Sequence, residues 1–512
     1  MKMPLVVNQF IDRAERVYPE RIAVIDEPLQ PAESWGSLAW SEVARRARAQ
    51  AAGLDALGIG EGERVAVVSH NSARLLTSFF GVSGSGRVLV PINFRLSAAE
   101  VAYIVEHSGA SMLLVDPELE ESLSHVSAAH RYVIGAESDA LLYDFDNAPR
   151  GWSAPDEDAT ATINYTSGTT ARPKGVQLTH RNIWINASTF GWQTGVSDRD
   201  VLLHTLPMFH CNGWGMPYAV TGMGGEHIVL RKVEGAEILR RVEAHGVTLL
   251  CGAPAVVSAV LDAAASWDGP IPGNGTTRIV VAGAAPPTRT IERVETELGW
   301  EFIQIYGLTE TSPLLTMNRS RAEYDHLTPS ERAARLGRAG APALGVDMRV
   351  SADGEIQARA NMVMAGYWSQ PEATAEAIDS GWFRTGDGGV IDDESYVAIL
   401  DRKKDVIISG GENVSSISVE DALHSHPAVA EVAVIGIPHE KWGETVHALV
   451  VLTSGEAATE AELIAHCRTL LAGFECPTGI EFRDELARTA TGKLQKFKLR
   501  EPYWAGRERQ IN

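Results

Sequence analysis

Short apolar runs that end in Gly or Pro alternate with helix-period segments, and no other feature of this chain narrows its fold as far. SLAWSEVARRARAQAAGLDALGIG (37–60) has helical spacing and closes on glycines, and ERVAVVSH (63–70) is a strand run. A helix starts near residue 72, and VLVPIN (88–93) is the next strand run. Ser97 and Glu100 form an S-x-x-E capping box for a further helix, whose end HSGA leads into SMLLVDP (111–117). VTLLCGAP (247–254), TRIVVAGAAPP (277–287) and EFIQIYG (301–307) repeat the theme. Such alternation places strands side by side in parallel with helices on the sheet faces, so the expected class is α/β. Ligands of open α/β sheets sit outside the carboxyl ends of the strands. The turns after these runs are therefore where a site is expected.

The texture changes in the last third. MRVSADGEIQAR (348–359) reads as a hairpin with a D-G turn, followed by YVAIL (396–400) and the charged run DRKKD (401–405). Beyond it lie helix SISVEDALHSHP, strands VAEVAVIGIP and TVHALVVLTS, helix TEAELIAHCRTLLAG and strand IEFRDE. This predicts a large N-terminal domain of mainly parallel sheets flanked by helices with a β-rich subdomain, and a small α+β C-terminal domain. The expected boundaries are 1–401 for the first, 402–405 for a connecting hinge and 406–512 for the second.

Composition removes several function classes. Of 512 residues, 45% are hydrophobic and 22% charged, which excludes a disordered chain. The formal net charge of -21 argues against nucleic acid or an anionic membrane surface as partner, since both require clustered positive charge. An anion site must then be local, built from backbone N–H groups and a few placed cations. Cys211, Cys251, Cys467 and Cys476 show no C-x-x-C spacing, which fits a reducing compartment. The start MKMPLVVNQFIDRAERVYPE turns amphipathic at once and is not a signal peptide. The most apolar stretch (247–261) is too short for a membrane span. A soluble, cytoplasmic protein is expected.

YTSGTTARPKGVQLTH (165–180) is the strongest local signal. Two glycines, several hydroxyl residues, Arg172 and Lys174 crowd one turn between two strand-like runs. Such a loop can wrap phosphate oxygens with N–H and O–H donors while Lys174 supplies countercharge. It is not a Walker A loop, because Lys174 precedes Gly175 and no Gly-Lys-Ser/Thr opens a helix.

This loop resembles the phosphate-binding signature of the adenylate-forming enzymes, the superfamily of acyl-CoA synthetases, peptide-synthetase adenylation domains and firefly luciferase. PMFH (207–210), GAAPP (283–287), QIYGLTE (304–310), GWFRTGD (381–387), DRKKD (401–405), SGGENVSS (409–416) and RTATGK (488–493) follow in the family's order. Ala171 departs from the pattern, which usually has Gly there. The resemblance implies an ATP- and Mg²⁺-dependent ligase that forms an acyl-adenylate and passes the acyl group to coenzyme A. Thr166, Ser167, Gly168, Thr169, Thr170 and Lys174 would hold the phosphates. Gly283, Ala284, Ala285, Gln304, Tyr306, Gly307 and Thr309 would meet adenine and the α-phosphate. Asp387 and Arg402 would hold the ribose, and Glu310 with Thr169 would hold Mg²⁺. Lys493 would bridge the acid and the α-phosphate, next to His210 and Glu310 in the catalytic set.

For the acid, His210, Trp214 and Gly307 would line the acyl end. MFHCNGWGMPYA resembles the medium- and long-chain fatty acyl-CoA synthetase branch, with Trp214 as gate and Met216, Ala219, Val220, Gly222, Met223 and Gly224 along a greasy channel. PMFHCNGWG offers no Asp for an amino group, so an amino acid substrate is not expected. Arg95, Trp442, Gly410 and Gly411 would meet coenzyme A. No carrier segment follows residue 512, so a stand-alone ligase is expected, with a carrier-protein thiol as the alternative acceptor. A homodimer is also admitted. A luciferase-like monooxygenase and an idle binding homologue are the competing classes.

The resemblance makes the C-terminal domain mobile, with Lys404 as its pivot, and two outcomes follow. Lys493→Ala should slow adenylate formation by roughly 100- to 1000-fold while sparing thioester formation from supplied acyl-adenylate; equal loss of both half-reactions contradicts the assigned role. Lys404→Pro fixes φ and removes an N–H. It should keep acid-dependent pyrophosphate exchange and lose thioester formation, and equal retention of both would mean that residue 404 is not the pivot.

Overall fold

The computed structural model describes residues 2–145, 152, 156–166, 172–402, 405–409, 412–488 and 494–505, with the Asn413 side chain set aside. Ser167, Gly168, Thr169, Thr170, Ala171, Lys404, Gly410, Gly411 and Lys493 lie outside the described residues.

Two large sheets carry the N-terminal part. In the first, Arg64–Val68, Val88–Ile92, Ala110–Val115, His130–Val133 and Thr160–Thr166 run parallel. Lys174–Thr179 then returns antiparallel to Thr160–Thr166, and the two-residue strand Gly366–Tyr367 closes that edge. In the second, Ile22–Ile25, Glu226–Val229, Val201–His204, Leu249–Gly252, Arg278–Val281 and Glu301–Gly307 run parallel, and Leu314–Arg319 returns antiparallel. Val88–Ile92 is buried at every position, as expected of a strand covered on both faces.

One core cluster joins both sheets through the helices between them. Helix Ala73–Gly81 is buried along its whole length, and its polar stripe is satisfied inside: Arg74 meets Asp139, Thr77 donates to the Ala73 carbonyl and Ser78 accepts from Gln50. Its N-cap Ser72 accepts from the Leu75 N–H. Gly81 lets this helix approach Trp40–Ala56, because a Cβ there would stand 2.9 Å from the Ala47 carbonyl oxygen. The predicted Ser97/Glu100 box is present, with the Ser97 N–H donating to Glu100 Oε2 at 2.9 Å. The predicted helix over 37–60 begins only at Trp40, because Ser37–Ala39 pairs with Ile22–Ile25 as an edge strand. The apolar stretch near 250 is a strand, a Pro254 turn and helix Pro254–Ala264. Among the described residues, no helix is long and apolar enough to cross a membrane.

An antiparallel sheet of Val346–Val350, Glu355–Ala360, Trp382–Ile391, Ile378–Asp379 and Val397–Arg402 forms the β-rich subdomain. The C-terminal unit packs helices Ser416–His424 and Glu460–Cys467 on a sheet led by the hairpin Val429–His439 and Gly443–Leu452. A final helix, Lys496–Trp504, lies against Val429–His439 and has no clear apolar period in the sequence.

Polar contacts span the junction of the two units. Asp401 Oδ2 accepts from the Ser416 N–H at 3.1 Å and from the Ser416 hydroxyl. Within the C-terminal unit, the Lys496 ammonium reaches Glu420 at 2.8 Å, beside this junction. The Asp421 carboxylate accepts from the Thr288 N–H at 2.9 Å and its hydroxyl at 3.0 Å.

Candidate active site

The site forms where Arg278–Val281, Glu301–Gly307 and Thr160–Thr166 end. After Arg278–Val281 the backbone of Gly283, Ala284 and Ala285 is exposed, with Gly283 at φ 95°, so the chain presents a strip of bare peptide. Glu301–Gly307 carries the densest set of contacts. The Tyr306 hydroxyl donates to Asp387 Oδ2 at 2.7 Å, and Arg402 Nε lies 3.6 Å from Asp387 Oδ1. Asp387 and Arg402 face each other in the register of neighbouring strands, which brings two residues 15 positions apart into one pair. Burial, and then the adjacent Asp387 carboxylate, raise the Tyr306 phenol well above its usual range, so it stays a donor.

Beyond Gly307 the chain turns through Thr309–Thr311, a single 3₁₀ turn. Glu310 Oε1 accepts from the Tyr367 hydroxyl at 2.9 Å, and the Glu310 carbonyl accepts from the Met364 N–H at 2.8 Å. Burial and then Glu310 hold the Tyr367 phenol protonated as well. The Lys174 ammonium stands over the Tyr367 ring, 4.7 Å from its centre. One tyrosine thus ties Glu310 to the exit of the 167–173 connection. Thr166 and Lys174 pair across that hairpin. No motif or periodicity pointed to Tyr367: it lies on a two-residue edge strand, 57 residues from its partner.

The residues expected to meet the acid occupy an unusual backbone. Cys211, Asn212, Gly213 and Trp214 all have left-handed torsions (φ 44°, 53°, 58° and 59°), and Gly215 follows at φ 82°. Left-handed helical geometry costs roughly 1–2 kcal/mol for each residue with a Cβ. Such a turn persists only where its surroundings over-determine it. Here a closed ring of buried groups does so. The Asn212 amide donates to Thr162 Oγ1 at 2.9 Å, Thr162 donates to Asn164 Oδ1 at 2.9 Å, and the Asn164 amide donates to Asn212 Oδ1 at 3.0 Å. At the far end the Asn186 amide donates to the Trp214 carbonyl at 3.2 Å, while Asn186 Oδ1 accepts from the Leu314 N–H. Cys211 Sγ meets the Thr309 carbonyl at 3.9 Å, joining this turn to the Glu310 segment. Trp214 is only 4% exposed, and His210, which opens the turn, is half-buried.

Not every expected acyl residue faces this turn. A Cβ at Gly222 would stand 2.6 Å from the Phe10 ring, and one at Gly224 would stand 2.0 Å from the Tyr18 ring. These glycines serve the packing of helix Met216–Met223 on helix Asn8–Val17, and Met223 is exposed. The greasy-channel reading of Gly222, Met223 and Gly224 is therefore corrected to helix packing and surface. At Gly307 a Cβ would collide with the Pro313 carbonyl, so the returning strand requires glycine there. Gln304 is buried on the same strand, and its Oε1 has no hydrogen-bond partner among the described residues.

Two expected residues lie further out. Arg95 stacks over Phe94, whose ring meets Phe209 edge-on at 5.5 Å, one residue from His210. Trp442 is 40% exposed at the tip of the C-terminal hairpin, stacked on His439 at 4.3 Å. Arg488 and Leu494, which flank the Lys493 segment, pair as an antiparallel bridge. Among the described residues, no group of three His, Cys, Asp or Glu side chains is arranged to hold a metal.

Residues 11–368 match the family model described as AMP-binding enzyme, and residues 418–493 match its C-terminal domain. The chain is 36% identical to 2-methylpropanoate–CoA ligase CCL4 of Humulus lupulus, covering 97% of this chain and 95% of that protein. It is also 36% identical to 4-hydroxybutyrate–CoA ligase 2 of Metallosphaera sedula, over 96% of this chain and 93% of the relative. A solved o-succinylbenzoate CoA synthetase from Bacillus subtilis, in complex with its acyl-adenylate intermediate, superposes with a TM-score of 0.82 at 28% identity, covering 97% and 98% of the two chains. The chain belongs to the AMP-binding enzyme family.

Proposed function

We propose that this protein joins a carboxylic acid with an apolar tail to coenzyme A through an acyl-adenylate, releasing pyrophosphate and AMP. The observation that carries this reading is the run Tyr306–Glu310. It links Asp387 and Arg402 on one side, Tyr367 and Lys174 on another, and the Cys211–Trp214 turn on a third. A ribose holder, a phosphate region and an acyl turn thereby adjoin a single strand end. Relatives named as CoA ligases support coenzyme A as the acceptor rather than a carrier protein.

In the first step a carboxylate oxygen attacks the α-phosphorus of ATP and pyrophosphate leaves. In the second, the thiol sulfur of coenzyme A attacks the acyl carbon and AMP leaves. Asp387 accepts the ribose hydroxyls, with Arg402 alongside. Tyr306 and the exposed peptides of 283–285 form the walls for adenine. Both reactants of the first step are anionic, so the site must offset their repulsion. Thr166, Ser167, Gly168, Thr169, Thr170 and Lys174 wrap the phosphates, and Thr309 meets the α-phosphate. Glu310, a hard oxygen donor oriented by Tyr367, fits Mg²⁺ and would hold it with Thr169. Bound Mg²⁺ would neutralise triphosphate charge. Lys493 places a cation between acid and α-phosphate, and His210 lies by the acid carboxylate. Trp214 bounds the acyl tail, while Gly307 contributes bare backbone. Gly410, Gly411, Arg95 and Trp442 guide coenzyme A after a rotation about 402–405.

The relatives named for 2-methylpropanoate and 4-hydroxybutyrate, with the buried setting of Trp214, favour a compact tail. We place the protein in the cytoplasm on its four free cysteines.

Two outcomes test this reading. A panel of aliphatic and aryl acids should give acid-dependent exchange of pyrophosphate into ATP, with steady AMP release only when coenzyme A is added; exchange with no acid in the panel overturns the reading. Asp387→Asn should weaken AMP binding in calorimetry by about 10- to 100-fold, the worth of a hydrogen bond to a buried charge, and Tyr306→Phe by less. Equal, small effects would remove Asp387 from the ribose site.

A further inference from the structure

The turn Cys211–Trp214 is held in a conformation that side-chain-bearing residues avoid, and the hold comes from outside it. Thr162, Asn164 and Asn212 are each buried, and each both donates and accepts within their ring. Replacing any one leaves a buried polar atom without its partner. The ring sits on strand Thr160–Thr166, whose end opens the phosphate connection, and Asn164 also donates to the Phe209 carbonyl at 3.4 Å, just before His210. Asn186 fixes the other end of the turn and touches Leu314, four residues past Glu310. The acyl turn is therefore referenced to the phosphate strand on one side and to the Glu310 segment on the other.

We propose that the Thr162–Asn164–Asn212 ring is a specificity-determining positioning device. It sets the depth of the Trp214 ring relative to the α-phosphate site, and so the length and bulk of the acid that can be activated. This rests on the reading of Trp214 as a boundary of the acyl site. The three ring residues act through the turn and touch neither the nucleotide nor the reacting atoms. Asn is among the few residues that adopt the left-handed region readily, which suits position 212. A Gly there would keep the torsions and lose the ring.

The test compares kcat/KM for butyrate, hexanoate and 3-phenylpropanoate in five variants of the full chain, together with KM for ATP and melting temperature. Thr162→Val removes the hydroxyl at nearly constant shape, Asn212→Gly removes the amide without torsional cost, Thr162→Ser keeps the hydroxyl, Asn164→Ala opens the ring, and Trp214→Ala removes the boundary itself. The expected result is a shift of the longer-to-shorter acid ratio by about tenfold or more in Thr162→Val, Asn212→Gly and Asn164→Ala, in the direction set by Trp214→Ala. Thr162→Ser should keep the ratio of the unmodified protein, and KM for ATP should not move. If the ring variants melt earlier but rank the acids as before, while Trp214→Ala reorders them, the ring is only structural and the proposal fails. If Trp214→Ala also leaves the ranking unchanged, the acyl-site reading itself is wrong, and the proposal falls with it.

Discussion

Two mostly parallel sheets share one layer of buried helices, and that shared burial fixes the remaining architecture. Val88–Ile92 and helix Ala73–Gly81 are buried at every position, so they are stable only inside such a stack. The chain can then change character only at strand ends. The segments beyond the strands carry features that the sheets themselves lack: exposed peptides at 283–285, a phenol on a carboxylate at Tyr306 and Asp387, and a left-handed turn at 211–214. Fold and site are two consequences of one burial pattern.

Electrostatics explains why a chain of net charge -21 can still serve a polyanion. The site does not depend on a basic surface. Tyr306 and Tyr367, both raised by burial and by neighbouring carboxylates, remain neutral donors that orient Asp387 and Glu310. Lys174 adds a point charge over the Tyr367 ring. A few oriented groups in a partly dry setting outweigh the long-range repulsion of distant acids, which salt screens over about 10 Å.

Much of this was legible from the residues alone, and the parts that were not share a cause. Strand runs, the Ser97/Glu100 box and the D-G hairpin are local signals, and each has its counterpart in the fold. Asp387 and Arg402 could be named together from motif resemblance, and strand register supplies the contact between them. Tyr367 and the Thr162–Asn164–Asn212 ring escaped notice because their partners are distant in sequence and carry no periodicity. Gly222 and Gly224 misled for the opposite reason. Small residues beside an acyl motif suggest a channel, whereas the space they leave is filled by Phe10 and Tyr18. Sequence patterns report the needs of a segment, and they do not report what the rest of the chain presses against it.

The proposed chemistry requires a bond between a carboxylate oxygen of the acid and the α-phosphorus of ATP. It is tested most directly by following that oxygen. With acid labelled by oxygen-18 in its carboxylate, ATP and coenzyme A, the thiol attacks the acyl carbon and the bridging oxygen stays on phosphorus. The AMP should then carry an oxygen-18 atom from the acid. Unlabelled AMP, or label in inorganic phosphate released beside ADP, would contradict it.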